Sequence, residues 1–301
     1  MRPKAPRKPV IREPDKFDKL NELNTFSPVS CDEVFKILNG LNSNKGPGPD
    51  ELSVTPFQCV ADKFSPILTS IFNSSIQEGV FPSGLKLAKC IPIHKGDGPL
   101  NPSNYRPISI LNFSSKFFEK LLHTRLITYL DNNKLIYKNQ FGYRKNHSTS
   151  HAVLNVTELI HTAISSNEYT IAMFLDLSKA FDTVDKNLLT EKLSSYGLGD
   201  NVIKLINNYM SERRMYIPNC SNRTNTNNIN YLDLGVPQGS TLGPLLFILY
   251  VNDIGDIIGD TSNIIMYADD TTIIVSDKNL RNAEKHANIV MGNMYRYFLY
   301  K

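Results

Sequence analysis

Asp269 and Asp270 are adjacent carboxylates between two apolar runs, Ile264 to Ala268 and Thr271 to Val275. The runs predict two short strands, and the pair then forms the two-residue turn that joins them. Primed turns ask for positive φ at both central positions, so a second Asp is a poor turn former and sets like charges side by side. Solvent or a cation has to offset that repulsion. Taken alone, an exposed acidic turn is the simpler account. Asp176 changes the balance, because it ends a further apolar run, Ala172 to Leu175, and sheet-based sites present their reactive groups at strand ends. Two strands side by side would bring Asp176 against the hairpin tip. Three carboxylates with few histidines or thiols nearby select a hard cation, Mg²⁺ or Mn²⁺. Two such ions about 3.5–4 Å apart can activate an attacking hydroxyl and stabilise a leaving oxygen.

The elements that must position these groups follow from periodicity. Thr170 to Leu177 predicts a buried strand, Phe181, Val184, Leu188 and Leu193 stand at helical spacing, and the loop Gly235 to Ser240 opens an apolar helix, Thr241 to Tyr250. That loop reads as a helix N-cap with Ser240 as cap, or as a flexible loop whose backbone approaches a nucleotide base. Upstream, Ser30 and Glu33 form a capping box before the stripe Val34, Ile37, Leu38 and Leu41. Helical stretches are predicted from Phe57 to Leu68 and from Leu68 to Gln77, a strand over 87 to 95, and a polar loop from Gly96 to Tyr105. Phe117, Leu121, Leu122, Leu126 and Leu130 make a helical stripe, and His151 to Ile164 a further helix. Residues 1–25, with prolines at 3, 6, 9 and 14, predict a disordered basic lead-in.

The chain of 301 residues is 41% hydrophobic, enough for a sizeable core. Its longest apolar run, Gly243 to Val251, stops at Asn252 and Asp253, short of the roughly 20 residues of a membrane-spanning helix. Met1 to Lys16 has no apolar stretch behind its basic residues and is not a secretory signal. Cys31, Cys59, Cys90 and Cys220 are dispersed, which argues against a zinc site or a disulfide framework and for reduced thiols in an intracellular protein. The net charge of +4 lies wholly in residues 1–16, with six Lys/Arg against two Asp/Glu. Residues 86–151 carry eleven basic against three acidic residues, while 17–85 and 152–301 are each acidic by four charges. Such segregation suits a protein that grips polyanions with one part and holds cations with another, or simply solvated faces.

Phe174-Leu175-Asp176-Leu177-Ser178-Lys179-Ala180-Phe181-Asp182, Gly235-Val236-Pro237-Gln238-Gly239-Ser240 and Tyr267-Ala268-Asp269-Asp270 resemble motifs A, B and C of reverse transcriptases, in that order. Asn104-Tyr105-Arg106-Pro107-Ile108-Ser109, Gln140-Phe141-Gly142-Tyr143-Arg144 and Asn44-Lys45-Gly46-Pro47-Gly48-Pro49-Asp50 resemble finger motifs of non-LTR (LINE-type, jockey-like) retrotransposon polymerases. The last is absent from retroviral enzymes and disfavours a group II intron or retron polymerase, which would share the chemistry. The resemblance covers about residues 30–290. The chain departs from the family in having Leu85 before Lys86, where Trp is usual, and Glu51 after Asp50, where Gly is usual.

The resemblance implies an α+β fold, a right-hand polymerase with fingers and palm and an antiparallel palm sheet packed on helices. Residues 26–168 would be N-terminal extension and fingers, 169–290 the palm, and 291–301 a truncated start of motif D, with the thumb missing and no room for an endonuclease. It implies RNA-templated addition of deoxynucleotides to a primer 3′-hydroxyl, with RNA template, DNA primer and dNTPs as partners. Asp176, Asp269 and Asp270 would hold two Mg²⁺ or Mn²⁺ ions, helped by the Leu177 carbonyl. Phe181 would crowd the sugar C2′ and exclude a 2′-hydroxyl, although by itself it reads as a core aromatic. Gln238 and Gly239 would contact the incoming nucleotide and template base, and Lys95 and Arg106 the triphosphate, although each charge alone reads as a solvated surface group. The alternative is a catalytically silent retrotransposon relic that binds RNA. Genomic DNA as primer would require access to the nucleus.

Overall fold

Short strands drawn from distant parts of the chain pair into two separate sheets. In the computed structural model, which describes residues 22–44, 46–96, 98–177, 179–218, 229–232, 234–257 and 262–299, the order is α1 (Cys31–Asn39), α2 (Thr55–Cys59), α3 (Ala61–Glu78), β1 (Leu87–His94), β2 (Tyr105–Leu111), α4 (Phe113–Asn132), α5 (Thr149–Ser165), β3 (Tyr169–Leu175), α6 (Lys186–Ser195), α7 (Asp200–Met210), β4 (Arg213–Tyr216), β5 (Asn230–Leu232), α8 (Gly243–Val251), α9 (Ile254–Ile257), β6 (Ser262–Tyr267), β7 (Asp270–Asp277) and α10 (Leu280–Leu299). Residues 1–21 of the predicted lead-in and Cys220 lie outside the described residues, and the lead-in's last part is ordered, Leu23 bridging to Leu198. The chain divides into two compact units, one holding the described residues of Lys134–Ala180 and Phe247–Lys301, the other those of Asn21–Asn133 and Phe181–Leu246.

The first unit is built on an antiparallel sheet in the order β3-β7-β6. Ala152 of α5 packs with Ile265 and Ile274, supported by Val156, Leu159 and Ile160, so α5 covers one face. Side chains alternate across a strand, so Ile264, Met266, Ile273 and Val275 point the other way, where α10 runs against β7 and β3. The strand predicted over 170–177 is present as Tyr169–Leu175, two residues short at its end, and is not buried as its apolar run predicts. It is the sheet's edge, and Tyr169, Ala172 and Phe174 are exposed, Phe174 at 75%. A continuous apolar run cannot by itself distinguish an edge from a centre.

The second unit combines a sheet in the order β2-β1-β4-β5 with a helical core. β1 pairs antiparallel with β2 and, over Leu87 to Lys89 only, parallel with β4. Phe72 of α3 stacks on Phe118 of α4 at 4.5 Å, and Phe81 links Phe118 to Tyr209 of α7. Ser30 caps α1 as predicted, its Oγ accepting from the Glu33 N–H. Glu33 does not reach back to close the box. Its two oxygens take Arg125 of α4 instead, at 3.0 and 2.8 Å, a bidentate pair of opposite charges that outweighs a single bond from a backbone N–H.

Other expectations shift. The break between the second and third helices falls at Val60, whose φ of −120° leaves the helical region, and α3 runs on through Leu68 with Pro66 inside its first turns. The predicted loop to Tyr105 ends in β2, an edge strand that tolerates Pro107. Cys31, Cys59 and Cys90 are free thiols. No helix of the described residues is long and apolar enough to cross a membrane.

Candidate active site

Three carboxylates sit at one end of the first unit's sheet. The β3–β7 register ends with Leu175 opposite Thr271, so Asp176 leaves β3 at the same end of the sheet where Asp270 opens β7. Tyr267 pairs with Asp270 on the other side, so Asp270 is the first residue of β7 and the two-residue turn is Ala268-Asp269. This corrects the turn expected at Asp269-Asp270. The left-handed position falls on Ala268 (φ 58°), and the charged side chains are left at the turn's second residue and at the strand start. The burden of positive φ on an Asp pair is thereby avoided.

Asp176 and Asp270 are exposed and Asp269 half-buried. An all-oxygen donor set open to solvent fits a hard divalent cation. The Leu177 carbonyl accepts the Ala180 N–H at 3.3 Å, which leaves a lone pair for a further ligand. Among the described residues no three His, Cys, Asp or Glu side chains are drawn together into a ready-made metal site. The sheet sets the carboxylates adjacent without closing them on a common centre.

Around the turn lies a segment that sequence reasoning grouped with the fingers. The Met266 N–H donates to the Asn139 carbonyl, the Phe141 N–H to the Met266 carbonyl, and the Ala268 N–H to Oε1 of the buried Gln140. A Cβ on Gly142 would come within 2.3 Å of the Ala268 nitrogen, so only glycine fits there. Burial pushes the Tyr143 phenol above its ordinary range, and the Asp269 carboxylate adds to the shift.

The second unit gathers another set. Phe181 is not on a helix as its spacing predicts; it lies in a 3₁₀ turn, Ala180–Asp182, and α6 starts only after its N-cap Asp185. Val236 N–H donates to the Phe181 carbonyl, and a Cβ on Gly235 (φ 80°) would meet the backbone of Phe181 and Asp182 at 2.7 Å. Gln238 donates from Nε2 to Asp182 Oδ1 at 2.8 Å, and its carbonyl accepts the Ser109 N–H at 2.7 Å. Gly239 presses on the Ser109 carbonyl. Phe181, Gln238 and Gly239 therefore converge, with β2 beside them. Lys95 and Arg106 are exposed at the far end of the β1–β2 hairpin, Arg106 opposite Ile93 and the Lys95 N–H donating to the Asn104 carbonyl.

Ser240 caps α8 as predicted, its Oγ accepting the Gly243 N–H. A second cap was missed. The fully buried Glu119 of α4 accepts the Thr241 and Leu242 N–H groups at 2.6 and 3.3 Å. Burial raises its carboxyl, while Arg213 and those N–H groups pull it back. The available signal was that Glu119 follows Phe117 and Phe118 and stands two residues before Leu121, on a helix whose apolar stripe surrounds it. Asp182, the partner of Gln238, was visible only as the end of motif A.

Residues 93–300 match the family model of reverse transcriptases (RNA-dependent DNA polymerases). The chain is 32% identical, over 262 residues and 85% of its length, to the RNA-directed DNA polymerase from mobile element jockey of Drosophila melanogaster. It is 33% identical over 75% of its length to the jockey polymerase of Drosophila funebris, and 33% identical over 76% to the probable RNA-directed DNA polymerase from transposon X-element of Drosophila melanogaster. It spans about a quarter of these relatives, 28%, 24% and 25% of their lengths. The match takes in the strand-end carboxylates, the Gly235–Ser240 loop and the β2 strand it touches. On that extent of agreement, the chain belongs to the reverse transcriptase family.

Proposed function

We propose that the chain carries out RNA-templated DNA synthesis, adding deoxynucleotides to a primer 3′-hydroxyl in the course of retrotransposition. The observation that carries this reading is the register that brings the end of β3, just before Asp176, beside the start of β7 at Asp270, with Asp269 in the adjoining turn. These three carboxylates and the Leu177 carbonyl would hold two Mg²⁺ or Mn²⁺ ions. Bound there, the ions would supply the charge that activates the attacking hydroxyl and stabilises the leaving pyrophosphate. Everything else asked of the protein is positioning, which is the larger share of such a reaction.

Gln238 is fixed by Asp182 and by Ser109, so its loop presents a preset surface to the nascent base pair. Gly239 lets the backbone approach. Phe181, held through its own carbonyl by Val236, would crowd the sugar 2′ position and select deoxynucleotides. Lys95 and Arg106 would take the triphosphate oxygens, the guanidinium through its planar fork and the ammonium as a point charge. The unit with the carboxylates corresponds in this reading to the palm, and the β1–β2 hairpin to the fingers of a right-hand polymerase. RNA template, DNA primer and dNTPs are the partners, and genomic DNA as primer would take the protein to the nucleus.

Primer extension on an RNA template, with Asp269→Asn beside the parent, tests the proposal. Extension by the parent that falls by several orders of magnitude in the variant is expected; equal Mg²⁺-dependent extension by both would overturn it. RNA binding without extension by either leaves the RNA-binding relic as the reading.

A further inference from the structure

Gln140 is fully buried in the unit that carries the carboxylates, and none of the chemistry above uses it. Its Oε1 accepts two backbone N–H groups, from Gly142 at 2.8 Å and from Ala268 at 3.0 Å. Ala268 is the left-handed residue that turns the chain into Asp269. Neither strand of the hairpin uses that N–H, so without Gln140 it would be an orphan donor in a buried position. The other half of the amide, Nε2, is buried and has no hydrogen-bond partner among the described residues. A buried unpaired donor is costly. Its persistence beside a fully used oxygen marks the acceptor as what this position provides. The flanking backbone bonds of Asn139 and Phe141 to Met266 fix where that oxygen lies relative to the turn.

We propose that Gln140 is a positioning residue for the carboxylate turn: by holding the Ala268 peptide it aims the Asp269 carboxylate toward Asp176 and Asp270. This rests on the reading of those carboxylates as the holders of a divalent cation. Groups one step removed from metal ligands typically change affinity roughly 10–100-fold when removed.

The test uses the whole chain and two measurements, Mn²⁺ binding followed by the paramagnetic signal of the free ion and amide hydrogen exchange of the β6–β7 hairpin. Gln140→Met keeps length and loses the acceptor; Gln140→Glu keeps an acceptor oxygen. Gln140→Met should weaken Mn²⁺ binding by roughly 10–100-fold and speed exchange at Ala268 by about fivefold or more. Exchange at Ile273 to Val275 should stay at the parent rate, and Gln140→Glu should restore protection at Ala268. Should Gln140→Met lose protection across the whole sheet, Gln140→Asn, whose oxygen falls one methylene short, carries the same expectations. Parental Mn²⁺ affinity in the acceptor-lacking variant, with Asp269→Asn weakened, would overturn the positioning role alone. Equal Mn²⁺ binding by the parent and Asp269→Asn would remove the cation from this turn, and the proposed role with it, even with Ala268 still pinned.

Discussion

Among single side chains, Phe181 separates two roles. Its backbone carbonyl anchors Val236 whatever the side chain is, so replacing the ring leaves the loop's attachment in place. Phe181→Val should therefore raise incorporation of ribonucleotides relative to deoxynucleotides while leaving the thermal midpoint near that of the parent. An unchanged sugar preference in competitive extension would remove the gate role. Arg125 is the opposite case, a residue whose contacts are structural. It grips Glu33 with both nitrogens and also donates to the Ser27 and Pro28 carbonyls, so Arg125→Lys keeps the charge and loses the fork. A loss of about 1–2 kcal/mol in urea unfolding is expected. The carboxylates stood out in the sequence because two adjacent Asp side chains between apolar runs set like charges side by side, and a third acid ends a neighbouring apolar run. Gln140 stands within a motif, yet its role was not legible, because nothing local says that a glutamine's oxygen will meet an amide 128 residues away.

At the level of elements, α8 is held by side chains from two places, Ser240 at its own start and Glu119 from α4. The Glu119 carboxyl is raised above the value it has in the unfolded chain, so the folded state binds the proton more tightly. Its contribution to stability is fully present below the unfolded pKa of about 4.3 and is lost as pH rises through the folded value. Glu119→Gln keeps an accepting oxygen and does not titrate. The stability of the parent relative to this variant should fall as pH rises above about 4.3, read as urea midpoints across a pH series; a constant difference would mean that the carboxyl does not titrate in this range. Elements with local signals were legible: α1 from its cap and apolar stripe, α4 and α5 from their spacing, and the β6–β7 hairpin with its turn placed to within one residue and its outer strand ends to within two. β2, β4 and β5 were not, because they are short, polar or proline-bearing and exist only through pairing with β1 or with one another. α7 was missed although its face Val202, Leu205, Ile206 and Tyr209 is wholly buried, since Gly197 and Gly199 just ahead of it suggest a loop.

For the molecule as a whole, charge segregation rather than net charge bears on function, since the +4 excess lies in residues 1–16 and the block 86–151 is strongly basic. RNA affinity should fall steeply with salt, and Lys95→Glu with Arg106→Glu should reduce the slope of log affinity against log salt by roughly one for each phosphate that is no longer gripped. A slope equal to the parent's would place the RNA elsewhere. The β1–β2 hairpin that carries these charges has one further property. Pro92 faces Pro107, and the Lys95 to Asn104 bond, three residues along, makes theirs a row whose N–H positions point away from the partner strand. On the outer side of β2, Pro107 thus offers no donor, and the next outward N–H, that of Ser109, is already taken by the Gln238 carbonyl. On β1, Pro92 deletes the donor just where β4 has ended. A basic hairpin with exposed Ile91 and Ile93 would otherwise invite a second chain to add a strand. The two prolines and one glutamine carbonyl leave such a strand little to pair with, so the edge is protected against self-aggregation while its side chains stay open to solvent.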